Sequence, residues 1–243
     1  MAEQNKGMSD LWRRLRFVFM AIVIYRLGTH IPIPGIDPAR LAALFDQNQG
    51  TILEMFNLFS GGALERMSIF ALNVVPYISS AIIMQLFSNS IPYLQELKKD
   101  GQAGRNQITQ FTRYGTVLLA FVQASALAVT LGASGLAYEP GTSFFISAVF
   151  SVVAGTIFLM WLGEQISERG IGNGISIIIA TSILTGIPGA IGQALEQARQ
   201  GDLNILLLLG IGVLAMLVIA IVVFIERGQR RITVNYAQRQ QGR

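Results

Sequence analysis

Residues 58–87 read LFSGGALERMSIFALNVVPYISSAIIMQLF, and most of what the chain can be follows from them. They open on a small-residue break, Ser60-Gly61-Gly62, inside a long connection. A short amphipathic piece with Glu65 and Arg66 comes next, and residues 69–87 are then apolar. A helix needs about 20 apolar residues to cross a bilayer, and shorter apolar pieces are more often re-entrant or interfacial. The pattern predicts a short segment dipping into a membrane, followed without pause by a true span. A simple membrane anchor has no use for that arrangement, whereas a channel with a stoppered mouth has.

The surroundings agree. The chain is 52% hydrophobic and 13% charged, against about 25% charged in ordinary soluble domains, and its mean hydropathy is +0.51. Six apolar segments stand out, at 17–33, 69–87, 114–131, 144–162, 175–191 and 203–225. The expected fold is an all-α membrane protein: six transmembrane helices plus a short re-entrant plug helix. Residues 1–16 form the N-terminus, and 17–199 hold five of the spans, with a plug at about 52–68 and connections at about 88–113 and 163–174. The sixth span and a basic segment, 226–243, complete the chain.

Charge sets the orientation, because Lys and Arg concentrate on the cytoplasmic side of short loops. Fourteen of the eighteen Lys and Arg fall in the N-terminus, the 2–3 and 4–5 connections and the tail. Three (Arg40, Arg66, Arg199) fall on the other side, and Arg26 lies within the first span. Both ends are therefore expected in the cytoplasm, and no cleavable signal is evident at the N-terminus.

Several chemistries are excluded. The chain has no cysteine and one histidine, His30, so disulfides, thiolate nucleophiles and a histidine metal cluster are out. No Gly-x-Ser-x-Gly and no Gly-Lys-Ser/Thr occurs, and carboxylates lie almost wholly in the connections. Gly170, Gly172 and Gly174 resemble a phosphate loop only superficially. That fingerprint needs a preceding strand, whereas here a helix precedes, so a tight hairpin with positive φ is expected. No catalytic residue, cofactor or metal is expected.

The individual residues leave choices open. Arg26 near mid-bilayer must face protein or water, either as a pore-lining charge or as a packing residue bonded to carbonyls or a carboxylate. His30 reads as a satisfied interface residue. The span stops at Ile31-Pro32-Ile33-Pro34-Gly35, since proline cannot continue a helix. The connection to residue 68 is a plug or an interfacial helix. Val74 and Ile78, and again Ile175 and Ile179, are four residues apart and share a helix face. Such stiff aliphatics gate a constriction by dewetting, or simply face lipid and core. Gly186-Ile187-Pro188-Gly189 should kink the fifth span. The tail, with Arg227, Arg230, Arg231 and Arg239, either anchors to anionic lipid or docks an anionic partner such as ribosomal RNA.

The stretches FSGGALERMSIFAL (59–72), VPYISSAII (75–83) and WLGEQISERGIGNGISIII (161–179) closely resemble the SecY/Sec61 alpha family of protein-conducting channel subunits. IPIPGID (31–37), TRYG (112–115) and FIERGQRRI (224–232) agree, in the family's order and over essentially the whole chain. The resemblance implies the N-terminal part of a ten-helix clamshell around an hourglass pore. This clamshell opens across the bacterial inner membrane for secreted chains and sideways for membrane segments.

It implies a plug at Phe59, Ser60, Gly61, Gly62, Ala63, Leu64, Glu65, Arg66 and Met67, and ring positions at Val74, Ile78, Ile175 and Ile179. Spans 2 and 3 would form a lateral-gate wall, with Ser79, Ile82 and Ile83 on it. Cytoplasmic partners would dock at Lys98, Lys99, Arg105, Arg113, Arg227, Arg230, Arg231 and Arg239. The implied partners are the SecE and SecG subunits, the SecA motor, the ribosome, signal sequences and nascent chains, and membrane lipids. The chain departs from the family by stopping after the sixth span. Asn73 stands where a glycine is expected, and Asn106 and Gln107 where a basic pair is expected. A solute transporter built from discontinuous helices and a non-conducting scaffold with a basic tail are the competing readings.

Overall fold

The computed structural model describes residues 2–47, 57, 60–139, 141–200 and 205–228. Among the described residues the helices are α1 (Ala2–Gly28), α2 (Pro38–Gln47), α3 (Val75–Ser90), α4 (Pro92–Lys99), α5 (Gly101–Ala133), α6 (Thr142–Arg169), α7 (Gly174–Gln200) and α8 (Ile205–Glu226). No strand occurs among them, only isolated antiparallel bridges at Pro32–Ser68 and Ile36–Ala137. The chain forms two compact units, Met1–Pro188 and Gly189–Arg243.

Local sequence explains the helix ends. α3 and α4 carry Pro76 and Pro92 in the first turn, where a missing N–H costs nothing. Asp37 Oδ1 accepts from Ala39 N at 2.9 Å to start α2. Asn173 Oδ1 accepts from Ile175 N at 3.0 Å to start α7. Capping by Asp and Asn satisfies N–H groups that have no partner within the helix.

The packing is inside-out relative to a soluble protein. On α5 the buried stripe is Gly104, Thr112, Thr116, Ala120, Ala124, Ala128 and Leu131, while Tyr114, Leu118, Phe121 and Val122 on the same helix are exposed. Small residues inward and large apolar residues outward is the membrane arrangement. The lipid is as apolar as the core, so close backbone approach decides which face packs. Four described helical stretches, Gly101–Ala133, Thr142–Arg169, Gly174–Glu196 and Leu209–Glu226, are long and apolar enough to span. The chain is an all-α membrane protein.

Two of the six expected spans fall short of that measure. α1 runs continuously from Ala2 to Gly28, but its first half is polar and basic. The second apolar segment becomes helical only at Val75, six residues late, and α3 has 16 residues. Residues 61–74 are a chain of turns rather than the expected amphipathic helix leading into a span. The reason lies in the backbone, with Gly61, Gly62, Met67 and Asn73 all at positive φ. The 2–3 connection is helical, comprising α4 and the first part of α5. α7 stays helical through Pro188.

In the first unit, two apolar clusters form the interior. One gathers Ile33, Leu41, Met67, Ala124, Phe144 and Val152 among others. The other gathers Tyr25, Ala63, Phe70, Val74, Leu159, Ile166 and Ile178. The segment that follows α1 contributes Ile33 and Ile36 to the first cluster. Ile33 N donates to Met67 O at 2.8 Å and Ile69 N to Ile31 O at 3.0 Å, while Asp37 N donates to Leu136 O at 2.9 Å and Tyr138 N to Gly35 O at 3.0 Å. The two prolines that stop α1 leave extended backbone free to stitch residues 67–69 to one side and 136–138 to the other.

Candidate functional site: a buried turn segment beside an aliphatic waist

Residues 60–67 lie in the interior of the first unit. Ser60, Ala63 and Met67 are buried, Leu64 is half-buried, and Glu65 and Arg66 are exposed. The segment closes on itself: Gly62 N donates to Asn57 O at 3.0 Å, Leu64 N to Ser60 Oγ at 3.1 Å, and Asn57 Nδ2 to Glu65 Oε2 at 3.0 Å. Irregular backbone inside a membrane protein must be satisfied in this way or from neighbouring helices.

The neighbours supply the rest. Tyr25 Oη of α1 lies 3.2 Å from Ser60 O, and Arg26 Nη1 donates to Gly61 O at 3.2 Å. Arg26 is thus bonded to a main-chain carbonyl, one of the two alternatives its position allows. His30 Nδ1 lies 2.8 Å from Arg26 O, and His30 Nε2 lies 3.2 Å from Arg66 Nη1. A carbonyl and a guanidinium on either side make Nδ1 the donor and Nε2 the acceptor. Gly61 is at φ +66°, and a Cβ there would stand 3.1 Å from Ser182 Cα of α7. Only glycine lets the segment lie this close to that helix.

Phe70 anchors the far end. Its ring stacks on Tyr25 at 6.0 Å and on Phe158 of α6 at 5.9 Å. It occupies the space a side chain at Gly28 would need, so α1 and α6 grip the turn segment through one aromatic column. An apolar cavity of about 510 Å³ beside it is lined by Ile24, Leu27, Phe70 and Phe158.

The four expected ring positions belong to one apolar cluster. Val74 is 1% exposed within it, and Ile78, Ile175 and Ile179 are half-buried and packed against it, as Ala63 of the turn segment is within it. Val74 precedes α3, yet Ile78 N donates to its carbonyl at 3.0 Å, so the two still share a face. α7 comes close to α6 because Gly174 and Gly163 meet. A Cβ on Gly174 would collide with Gly163 O, and one on Gly163 with the Ile175 side chain. Of the three clustered glycines only Gly172 has positive φ, at +71°.

On α3 the two faces differ. Pro76, Ser80 and Ser88 are buried, and Ser80 Oγ donates to Thr112 O of α5 at 2.8 Å. Ser79 is half-buried, while Ile82 and Ile83 are exposed on the other side.

The expected docking cations divide. Lys98, Lys99, Arg105 and Arg227 are exposed. Arg113 instead makes a bidentate pair with Glu164, two contacts of 2.8 Å joining α5 to α6. At the N-terminus Arg14 and Arg13 hydrogen-bond Asp10 and hold its carboxyl below the ordinary range. Phe59, Arg230, Arg231 and Arg239 lie outside the described residues.

Sequence reasoning passed over Tyr25 and Ser182. Each is a polar side chain within an apolar run, and that mismatch was the available signal. Among the described residues no cluster of His, Asp and Glu could hold a metal.

A family model described as SecY matches residues 68–243. The chain is 62% identical over 242 residues to the protein translocase subunit SecY of Pseudomonas aeruginosa, covering 100% of this chain and 55% of that protein. It is 58% identical over 241 residues to the Escherichia coli subunit of the same name, covering 98% and 54%. The chain thus spans about half the length of these curated relatives. Among solved structures, Sec61 in a canine ribosome-channel complex from the endoplasmic reticulum matches with a TM-score of 0.63 at 20% identity, over 92% of this chain and 50% of that one. A structure described as a protein conducting channel matches with a TM-score of 0.56 at 20% identity, over 80% and 43%. These two likenesses concern the fold. Nothing among these relatives supports a solute transporter.

Proposed function

Because the chain belongs to the SecY family, we propose that it is the N-terminal part of the pore-forming subunit of a protein-conducting channel in the bacterial inner membrane. The observation that carries this is the shared apolar cluster of Val74, Ile78, Ile175 and Ile179, with Ala63 of the interior turn segment in it. Aliphatic side chains offer water and ions no hydrogen bonds, so a waist built from them dewets when empty. Contact with an unfolded chain is non-directional, so that almost any side chain can slide through. Residues 59–67 act as the plug, leaving the waist when a chain enters. No bond is made or broken here; a motor such as SecA or a translating ribosome supplies the energy.

The part of the relatives' length that this chain does not span closes the pore and supplies the other gate wall. Ser79, Ile82 and Ile83 form part of this chain's gate surface, through which membrane segments and signal sequences pass into lipid. SecE and SecG are the companion subunits. Lys98, Lys99, Arg105, Arg227, Arg230, Arg231 and Arg239 face the cytoplasm and bind the ribosome or the motor. Arg113 is withdrawn from that role by its pair with Glu164.

Crosslinking tests the whole reading. This chain has no cysteine of its own, so Ile175→Cys in the complete complex gives a clean probe. A stalled secretory chain with one cysteine should form a disulfide to Ile175→Cys, and none to Phe150→Cys on the 67% exposed outer side of α6. Equal capture at both positions, or at neither, would remove Ile175 from the pathway.

A further inference from the structure

Tyr25, Ser60, Asn73 and Ser182 are all buried and share one hydrogen-bond chain. Tyr25 Oη is 3.2 Å from Ser60 O and 2.5 Å from Ser182 Oγ. Ser182 Oγ is 2.9 Å from Ile178 O of its own helix and accepts from Asn73 Nδ2 at 3.2 Å. Two hydroxyls have two protons for three of these contacts. If Tyr25 donates to Ser60 O and Ser182 to Ile178 O, lone pairs face each other across the shortest contact, which is repulsive. Two arrangements remain. In one, Ser182 donates to Tyr25 and Tyr25 to Ser60 O, so a chain of donors runs from Asn73 to the turn segment. In the other, Tyr25 donates to Ser182 and Ser182 to Ile178 O, and the Ser60 carbonyl is let go. Neither leaves a hydroxyl proton buried without an acceptor.

We propose that Tyr25, Ser182 and Asn73 form a two-state latch on the plug, and that flipping the two hydroxyls lets go the Ser60 carbonyl. This is a first step in freeing residues 60–67 and leaves the bonds of Arg26 to Gly61 O and of Ile33 N to Met67 O still to be broken. The latch rests on the plug reading above. Its residues come from three places, α1, α7 and the turn just before α3, so separating any two of them unlocks it. Asn73 donates to Ser182 in both states and polarises the chain toward Ser60 in the latched one. Because release strands no donor, the flip itself costs only the contact to the Ser60 carbonyl. The latched state still holds one more contact to the plug.

The test uses planar bilayers and the complete complex built on the full-length protein. Tyr25→Phe removes the proton donor and keeps the ring against Phe70, so the fold is retained. Ser182→Ala removes the bridge. Each should raise the resting ion conductance roughly threefold to tenfold, the worth of one net hydrogen bond, and the double variant should not exceed the larger single one. Deleting residues 60–66 is the separate control. If that deletion leaves the conductance at the wild-type level, the plug reading falls and the latch with it. If it raises the conductance while Tyr25→Phe and Ser182→Ala do not, or if their effects multiply independently, the latch alone is overturned.

Discussion

Asn73 has φ +50° and Met67 φ +41°, the two non-glycine residues at positive φ among the described ones. The left-handed conformation costs an L-residue about 1–2 kcal/mol, and Asn bears it best because its short polar side chain can bond locally. The family resemblance leads one to expect glycine at position 73, and the backbone explains why asparagine can stand there. Asn73→Gly should keep the turn and lower the thermal stability of the purified complex only by about 0.5–1.5 kcal/mol, the worth of the lost bond to Ser182. Asn73→Ala should lower it by about 1–2 kcal/mol more. Equal losses for the two would mean that the side chain, rather than the backbone, sets the cost. Strained residues persist only where their surroundings hold them. Here they bracket the turns between the plug segment and α3, where the chain would have to move.

At the scale of elements, helix approach is set by missing side chains. The meeting of Gly163 and Gly174 leaves no room for a Cβ, so α6 and α7 are held at the spacing that places Ile175 against the cluster. Gly174→Val should push them apart and cost about 1–3 kcal/mol, the usual penalty for overpacking, seen as faster proteolysis of the assembled protein. Gly172 is different. Its φ is +71° and nothing crowds it, so Gly172→Asn should be tolerated and resist proteolysis like the wild type. The same outward-large, inward-small logic explains α5 and the two unlike faces of α3.

For the whole molecule, orientation rests on charge. With fourteen of eighteen Lys and Arg in the N-terminus, the 2–3 and 4–5 connections and the tail, the α5–α6 connection should face away from the cytoplasm and the α4–α5 junction toward it. In intact cells a membrane-impermeant thiol reagent should therefore label Tyr138→Cys, at a position 65% exposed, and leave Lys99→Cys unlabelled until the cells are lysed. The reverse pattern would invert the topology and strip Lys98, Lys99 and Arg105 of any cytoplasmic partner. The first unit holds residues 60–67, the aliphatic cluster of Val74, Ile78, Ile175 and Ile179, and α3.

Residue types alone determined the membrane class and the apolar runs, and the quoted motifs pointed to the family. These depend on transfer free energy and on local patterns that do not need a partner across the fold. Helix onsets were less legible. Residues 69–74 are as apolar as any span, but two positive-φ residues and the grip of Phe70 between α1 and α6 hold them as turns. The tertiary structure alone showed that Arg26 bonds the Gly61 carbonyl, that Glu164 takes up Arg113, and that Tyr25, Ser182 and Asn73 meet. Each of those contacts joins groups 35 to 157 positions apart in the chain. Hydrogen bonding of that range is decided by how helices pack, which no local pattern encodes.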